Sequence, residues 1–474
     1  MATMIEVDTL TAQLPLKRWF GAKERTLGGA TLIDEVVIDD GPPPLVAALA
    51  RIGFSDGGSE IYNLLLIAAG DGELRDPFET DPGRLEALGR HMAHGSTLRG
   101  RSGTFRFSGP GLDPLSAPGQ DSVRAVSSEQ SNSSVIFDES VIMKVLRRIE
   151  PGPNPELEMA RLLTGEGFAN IPPQVGEFRY EPDQGNPESD FYDLGIAQHF
   201  LTDARDGWEE TTNHIDRLLE HAGKLNLDRL QEDVEQEASE ILDQIDQLGD
   251  VTAQLHVMLA RDGLDADFAA DPVDSSDLKQ WAERARDSLE RARISGAPAE
   301  LVTAADQIIE LLFSVAHPGA KTRIHGDYHL GQTMLTDRGW MILDFEGEPA
   351  RSLAERRSKD SPLRDIAGML RSFSYAATAS LFHIADPGSE EWRSLKPIAE
   401  AWEGLARNRF LRAYLRTSHE GEFLPDEDST ETMLNVFEID KALYELSYER
   451  SHRPSWARIP LEGIRHVIER QAAR

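Results

Sequence analysis

The pattern of apolar residues changes near residue 201, and this change limits the folds open to the chain. Before it, short apolar runs such as 61–69 are bounded by turn residues, as strands are. After it, apolar residues such as Val234, Ala238 and Ile241 recur every three to four positions, as on one face of a helix. Because no single-layer fold combines both patterns, we expect an α+β fold with two lobes and a cleft between them.

The composition of the 474 residues excludes several classes of protein. The chain has 82 acidic and 49 basic residues and a formal net charge of −33, whereas proteins that bind nucleic acid carry basic patches. No apolar run reaches the roughly 18 to 20 residues that a membrane span needs. The N-terminus does not resemble a signal peptide, and the absence of cysteine excludes disulfides. We therefore expect a cytoplasmic protein that binds neither nucleic acid nor membranes.

Residues 1–105 are predicted to form a first subdomain of strands with one helix. The helix is expected at 81–95, where Asp81 can accept hydrogen bonds from the first helical N–H groups and Pro82 suits an early helical position. The segment RWFGAKER at 18–25 is interpreted as a packing corner rather than as a site.

Residues 106–201 are predicted to complete the first lobe, and residues 202–474 to form a helical lobe. Strands at 135–137 and 141–146 make a hairpin, and strand alternation places Lys144 on the face opposite its apolar neighbours. Lys144 is then either a surface residue of an edge strand or a cation placed for function. A helix follows from about residue 156 to 163.

The stretch 323–349 is unusually rich in polar side chains for a short hairpin. Turn residues at 336–339 separate two apolar runs, so folding there brings Gln332 opposite Asp344. A carboxylate and an amide oxygen suit Mg²⁺, a cation that also binds substrate phosphates. Asp327 lies on the loop just before, where it can accept a proton from an alcohol. The sequence therefore predicts magnesium-dependent phosphoryl transfer with Asp327 as the base.

The same stretch resembles the pattern of eukaryotic-type kinases. Asp327 precedes Gln332 by five residues, as the catalytic Asp precedes the metal-binding Asn there. Asp344-Phe345-Glu346 stands where that pattern has Asp-Phe-Gly. The His-Gly-Asp-x-His form is similar to that of aminoglycoside- and choline-type small-molecule kinases. A small-molecule acceptor is therefore expected.

The lysine of the first lobe completes the kinase pattern. Lys144 is expected to bind phosphates of ATP and to pair with Glu158, or with Glu156 as a second choice. No Gly-x-Gly-x-x-Gly motif precedes this lysine. The phosphates are therefore expected under the serine-rich loop SSEQSNSS, which ends in Ser133 and Ser134.

Longer blocks of the chain resemble bacterial maltokinases. They include HGDYHLGQ at 325–332, SPLRDIAGMLRSFSYAA at 361–377 and YELSYERSHRPSWARIPL at 444–461. The resemblance implies phosphorylation of maltose at its anomeric hydroxyl by ATP with Mg²⁺, giving maltose 1-phosphate for α-glucan synthesis from trehalose. It also implies a bilobal, eukaryotic-type-kinase-like fold in which residues 1–105 form a cystatin-like cap.

The resemblance assigns roles to residues outside the hairpin. A hinge that touches adenine is assigned to Gln198, His199, Phe200 and Leu201. The sugar is expected against one face of a C-terminal helix, formed by Lys441, Tyr444, Glu445 and Tyr448. Three more polar residues are assigned to the sugar, namely His325, His329 and Glu346, and orientation of the loop is the alternative role of His329. Arg364 and Asp365 are expected to brace the catalytic loop.

Two other functions remain open on the sequence. Actinobacterial glucosamine kinases share the Gly-Asp-x-His and Asp-x-Glu-Gly segments, so an amino sugar is an alternative acceptor. A non-catalytic kinase-like module is the second alternative, with the enzyme that makes maltose from trehalose as its candidate partner. An active maltokinase is compatible with the same partner.

Overall fold

The computed structural model describes residues 4–5, 7–68, 73–109, 122–126, 131–184, 190–349 and 351–473. The chain divides into two compact units, unit 1 (Met1–Asp203) and unit 2 (Ala204–Arg474). Strands dominate unit 1 and helices dominate unit 2, which confirms the α+β prediction. The predicted boundary at 201/202 lies two residues before this division. The predicted boundary at 105/106 falls inside a strand of unit 1 and stays a prediction.

The described part of unit 1 contains two antiparallel sheets and four α-helices. Its strands are β1 (Leu27–Asp39), β2 (Leu45–Phe54), β3 (Ser59–Ala68), β4 (Leu74–Arg75), β5 (Thr97–Arg99), β6 (Gly103–Ser108), β7 (Val123–Val126), β8 (Ser133–Phe137), β9 (Val141–Val145), β10 (Arg148–Ile149), β11 (Gln174–Pro182) and β12 (Tyr192–His199). Its helices are α1 (Val7–Gln13), α2 (Pro77–Thr80), α3 (Glu86–Ala93) and α4 (Pro155–Gly165). The first sheet has the order β1-β2-β3-β10, with β4 beside β3, and the second has the order β5-β6-β11-β12-β9-β8-β7.

The first sheet is buried on both faces. Leu45 and Ala47 of β2 belong to a core shared with α3 and the second sheet. Val46 and Ala48, which point the other way, belong to a second core with α1 and the segment 18–25. Because both faces are covered, residues 45–50 of β2 and 64–67 of β3 are apolar without interruption rather than alternating.

The segment 18–25 is a packing corner, as predicted. Trp19 is buried in the second core, and its indole N–H donates to Asp76 Oδ2 at 2.8 Å. Asp76 also caps α2 by accepting from the backbone N–H of Phe78 at 3.0 Å. The prediction that Asp81 caps a helix at 81–95 is wrong, because Asp81 makes no capping bond and a 3-10 turn precedes α3.

Unit 2 is built mainly from helices. They are α5 (Gly207–Glu220), α6 (Leu230–Glu237), α7 (Ser239–Leu259), α8 (Ser275–Ile294), α9 (Ala299–Glu310), α10 (Leu353–Arg357), α11 (Leu363–Ile384), α12 (Glu390–Ser418), α13 (Glu427–His452) and α14 (Arg458–Ala472). The short strands are β13 (Arg205–Asp206), β14 (Asp271–Pro272), β15 (Ala320–Lys321), β16 (Thr333–Thr336) and β17 (Gly339–Ile342). Helix α13 packs against α8, α11 and α14.

The amphipathic repeat that starts at Val234 forms α6 and α7, with a break at Ala238. Its apolar residues are buried, as the spacing predicts. No helix among the described residues has the length and apolar character that a membrane crossing requires.

Candidate active site

The predicted hairpin of unit 2 is present and brings its two polar ends together. Strands β16 and β17 pair from Thr333 with Ile342 to Thr336 with Gly339. The N–H of Leu343 donates to the carbonyl oxygen of Gln332 at 2.9 Å, which extends the ladder by one step. The Gln332 amide then lies 3.1 Å from Asp344 Oδ2. The predicted convergence of Gln332 and Asp344 is therefore confirmed.

The ends of the hairpin offer ligands that fit a hard cation. Carboxylate oxygens of Asp344 and Glu346 lie within 4.8 Å of one another. Gln332 presents its amide nitrogen to Asp344, and turning the amide by about 180° would present the oxygen instead. Two carboxylates and an amide oxygen suit Mg²⁺, which keeps several waters. Glu346, which was assigned to the sugar, therefore lies beside the expected metal ligands.

The catalytic loop before the hairpin is held by a buried carboxylate from α11. Asp365 Oδ2 accepts from the N–H of His325 at 2.7 Å, and Oδ1 accepts from the N–H of Gly326 at 2.9 Å. Gly326 has a φ of +83°, which favours glycine. These contacts fix the backbone immediately before Asp327. The expectation that Asp365 braces the loop is confirmed, whereas Arg364 pairs with Asp360 and with Asp440 of α13.

The support of Asp365 continues into the core of unit 2. Nε2 of the fully buried His256 lies 3.2 Å from Asp365 Oδ2, and its Nδ1 lies 2.9 Å from the hydroxyl of Tyr414. Helix α11 comes close to the loop at Gly368, where a Cβ atom would lie 2.5 Å from the carbonyl oxygen of Tyr328. The sequence analysis missed this support, for which the glycine within an apolar helical pattern was the available signal.

The two histidines of the loop shape it rather than line an open pocket. His325 is buried, its Nε2 contacts the carbonyl oxygen of Leu343 at 2.8 Å, and its Nδ1 accepts from the N–H of Asp327 at 3.4 Å. The assignment of His325 to the sugar is therefore wrong, because both ring nitrogens serve the loop. His329 accepts at Nδ1 from the N–H of Gly331 at 3.1 Å, and burial lowers its pKa.

A lysine from α13 contacts the expected base. Lys441 Nζ lies 3.2 Å from Asp327 Oδ1 and 2.7 Å from Glu348 Oε1. Glu348 is also paired with Arg351, whose Nε lies 2.8 Å from its Oε2. Burial opposes the ionisation of Glu348, but the charges of Lys441 and Arg351 outweigh it and lower its pKa to about 2. Burial likewise opposes the charge of Lys441, but Glu348 and Asp327 raise its pKa.

The residues of α13 that were assigned to the sugar lie in different environments. Tyr444 is exposed, and its ring centroid lies 5.5 Å from Lys441 Nζ. Glu445 instead accepts from the buried Arg371 at 2.8 and 3.0 Å, and burial raises its pKa. The assignment of Glu445 to the sugar is wrong, because this ion pair holds α13 against α11. Tyr448 is exposed and stacks on His452.

A polar cavity of about 470 Å³ lies beside Asp327 within unit 2. Its walls include Lys441 and Tyr444 of α13, and they continue to α8. The cavity contains several carboxylates that are already paired with cations. Besides Glu348, Asp440 accepts from Ser288 at 2.9 Å and pairs with Arg364 at 2.9 Å. The cavity therefore combines an aromatic ring with many hydrogen-bonding groups.

The lysine of unit 1 is half-buried and paired with a carboxylate. Lys144 lies on β9, which pairs with β8 and β12, so it is not on an edge strand. Its Nζ is 3.0 Å from Glu156 Oε2 at the start of α4. Glu156, the second choice, therefore pairs with Lys144, and a pairing with Glu158 stays a prediction. The alternation that separates Lys144 from its apolar neighbours is confirmed.

The serines assigned to the phosphates are not in a loop. Both belong to β8, and Ser133 accepts from Nε of the buried Arg147 at 2.8 Å. The assignment of Ser133 is therefore wrong, because its hydroxyl serves the core. Ser134 lies opposite Lys144 in the ladder and shares its face. The loop residues 127–130 lie outside the described residues.

The segment assigned to adenine continues from the end of β12. Gln198 donates from Nε2 to the carbonyl oxygen of Pro172 at 3.1 Å. The N–H of Phe200 donates to the carbonyl oxygen of Ser140 at 2.8 Å. A contact of Gln198, His199, Phe200 or Leu201 with adenine stays a prediction.

Comparisons with known proteins point to one family. The model of the phosphotransferase enzyme family matches residues 122–420. A glucosamine kinase from Streptacidiphilus jiangxiensis is 26% identical over 348 residues, which is 71% of this chain and 71% of that protein. One from Mycolicibacterium smegmatis is 27% identical over 357 residues, which is 73% of this chain and 79% of that protein.

Solved structures show the same fold. Glucosamine kinase in crystal form B superposes with a TM-score of 0.71 at 21% identity, over 98% of this chain and 99% of that one. Glucosamine kinase in complex with glucosamine, ADP and inorganic phosphate superposes with a TM-score of 0.67 at 22% identity, over 96% and 97% of the two chains. The expected kinase-like fold is thereby confirmed.

Proposed function

Because this chain belongs to the phosphotransferase enzyme family, we propose that it transfers the γ-phosphoryl group of ATP to a hydroxyl group of a sugar. The observation that carries the proposal is the geometry of the catalytic loop and hairpin in unit 2. Asp365 fixes the backbone before Asp327, and Gln332 and Asp344 converge within hydrogen-bond distance. These are the parts that phosphoryl transfer requires from a protein.

Each residue has a role in the proposed reaction. Asp327 orients the sugar hydroxyl and accepts its proton as the bond from that oxygen to the γ-phosphorus forms and the bond to the bridging oxygen of ADP breaks. Gln332 and Asp344 would hold Mg²⁺, which neutralises charge on the phosphates. Lys144, kept in place by Glu156, is assigned to the phosphates by the kinase pattern.

An amino sugar is the acceptor that the relatives support. Both relatives matched over about seven tenths of the chain are glucosamine kinases, and one solved structure of similar fold holds glucosamine and ADP. This acceptor was the second choice of the sequence analysis. We therefore propose glucosamine as the first sugar to test.

Maltose remains a second candidate because of one observation in the cavity. The carboxylates of Glu348 and Asp440 are each paired with cations, so they are not open to the ammonium group of an amino sugar. The wall at these two residues favours neutral hydroxyl groups, in line with the resemblance to maltokinases, whereas the exposed Asp287 of the same cavity offers an acceptor for an ammonium group. An enzyme that makes maltose from trehalose is a partner to test if maltose is the acceptor. A cystatin-like cap at 1–105 is part of the same proposal.

The test is magnesium-dependent release of ADP from ATP with glucosamine, maltose, glucose and trehalose as separate acceptors. Asp327→Asn should lower kcat by about 10²–10⁴-fold with little change in ATP binding. Asp337→Asn is the matched control, because Asp337 is exposed at the turn of the same hairpin and should behave as wild type. Nucleotide binding without transfer to any sugar would refute the proposal and favour the non-catalytic module.

A further inference from the structure

The positive charge beside Asp327 comes from a distant part of the chain. The loop segment HGDYHLGQ contains no lysine or arginine, and burial lowers the pKa of its His329. The cation within 3.2 Å of Asp327 is instead Lys441, which lies 114 residues further along on α13. Unit 2 therefore completes the surroundings of its expected base by packing α13 against the loop.

The contact between Lys441 and Asp327 does more than neutralise the charge of Lys441. Glu348 already pairs with Lys441 at 2.7 Å and with Arg351 at 2.8 Å, so this carboxylate has two cations. Lys441 nevertheless reaches Asp327 as well, beside the ring of Tyr444. Among the described residues, the recorded side-chain contact of the Asp327 carboxylate uses Oδ1. Oδ2 then remains for a hydroxyl group.

We propose that Lys441 is a positioning residue that fixes the Asp327 carboxylate through Oδ1, so that Oδ2 accepts the hydroxyl proton of the acceptor. This inference rests on the proposed function. A carboxylate that is held at one oxygen presents the other oxygen in a fixed direction. Asp327 therefore acts mainly by orienting the hydroxyl, and it takes the proton late, when the oxygen–phosphorus bond is largely formed.

Several other groups face the pair and have to be considered in any pH dependence. His325 and His329 lie on the loop of Asp327, and the charge of Asp344 also acts on His329. Lys441 is faced by Glu348 and Glu445, and Tyr444 lies beside it. Arg351 touches Glu348 from the other side, which makes it the matched control cation.

The first test measures the Asp327 carboxyl directly, without any substrate. Carbon-13 NMR of carboxyl-labelled protein at one fixed pH records its signal, which is assigned by its loss in Asp327→Asn. Lys441→Met should move this signal, because it removes the contact at Oδ1, and Lys441→Arg should restore most of its position. Arg351→Met should leave the signal in place, because the contact of Arg351 is with Glu348. An unmoved signal in Lys441→Met, or an equal movement in Arg351→Met, would overturn the proposal.

The second test follows turnover with the accepted sugar. Lys441→Met should lower kcat by about 10- to 100-fold with an unchanged KM for ATP, and Lys441→Arg should restore most of kcat. A purely structural lysine would lower stability, and the folded protein would keep the wild-type kcat. If Lys441→Met does not fold, Lys441→Gln takes its place. Absence of turnover in the wild type would refute the proposed function, whereas the NMR signal would still decide the role of Lys441.

Discussion

Replacing Asp365 by asparagine tests whether one carboxylate holds the catalytic loop. Oδ2 of Asp365 accepts from the N–H of His325 and from His256, and Oδ1 accepts from the N–H of Gly326. Asparagine has a single acceptor oxygen for these donors. If that oxygen takes the place of Oδ2, the new amide N–H group faces the N–H of Gly326, and both donors lack an acceptor.

The size of the effect follows from these contacts. Each of the two buried donors without a partner costs about 1–3 kcal/mol, and the two remaining hydrogen bonds each lose roughly 1 kcal/mol with the charge. Asp365→Asn should therefore lower the free energy of unfolding by about 4–8 kcal/mol. The loop also loses its fixed position, so kcat should fall about 100-fold.

Urea unfolding followed by tryptophan fluorescence measures the stability, and ADP release measures kcat. Ser372→Ala is the control, because the hydroxyl of Ser372 accepts a single neutral hydrogen bond from the same loop. The donor is the N–H of Leu330 at 3.1 Å. This substitution should lower the free energy of unfolding by only about 1–3 kcal/mol, since a single buried donor loses its partner. A loss below about 1 kcal/mol for Asp365→Asn, with kcat unchanged, would refute the reasoning.

Three further substitutions test other parts of the structure. Lys144→Met should raise the KM for ATP, because it removes the cation that is assigned to the phosphates; an unchanged KM would remove Lys144 from the phosphate site. Asp76→Ala should lower the free energy of unfolding by about 3–5 kcal/mol, because it leaves the fully buried Arg147 unpaired; a neutral result in urea would contradict this. Because the pKa of Glu348 is lowered from 4.5 to about 2, its stabilising effect should be full above about pH 4.5 and disappear as the pH falls towards 2. Wild type and Glu348→Gln should accordingly converge in stability at low pH, and a constant difference would contradict the ion pair.

Local features of the site could be predicted from the sequence. The distance from Gln332 to Asp344 depends only on where the hairpin turns, and turn residues mark that place. The face of the strand on which Lys144 lies depends only on the alternation of side chains along it. Both predictions are confirmed because each involves neighbours along a single hairpin.

The remaining contacts depend on how helices and strands pack together, which the spacing of residues along the sequence does not reveal. Glu156 and Glu158 both lie in the first turn of α4, and it is the rotation of that helix that brings Glu156 to Lys144. The sequence predicts that Ser133 lies in a loop, but its hydroxyl accepts a hydrogen bond from the buried Arg147. Lys441 meets Asp327 across 114 residues, so only the assembled helices bring the two together.

The block at 444–461, which resembles maltokinases, serves mainly to join helices. Glu445 binds Arg371 of α11, and Glu449 binds both Tyr375 of α11 and Arg453. Residues that hold α13 in place can be shared by enzymes with different acceptors. A resemblance in this block therefore indicates a shared framework, and the choice of sugar must be read from the cavity.

The first sheet of unit 1 has a consequence for how its sequence can vary. Residues 45–50 of β2 and 64–67 of β3 are all buried, because each face of the sheet meets its own core. A sheet with one wet face tolerates polar substitutions at every second position. Here a saturation mutagenesis scan should show two unbroken blocks of intolerance, so that in evolution these strands change only by exchanging one apolar residue for another.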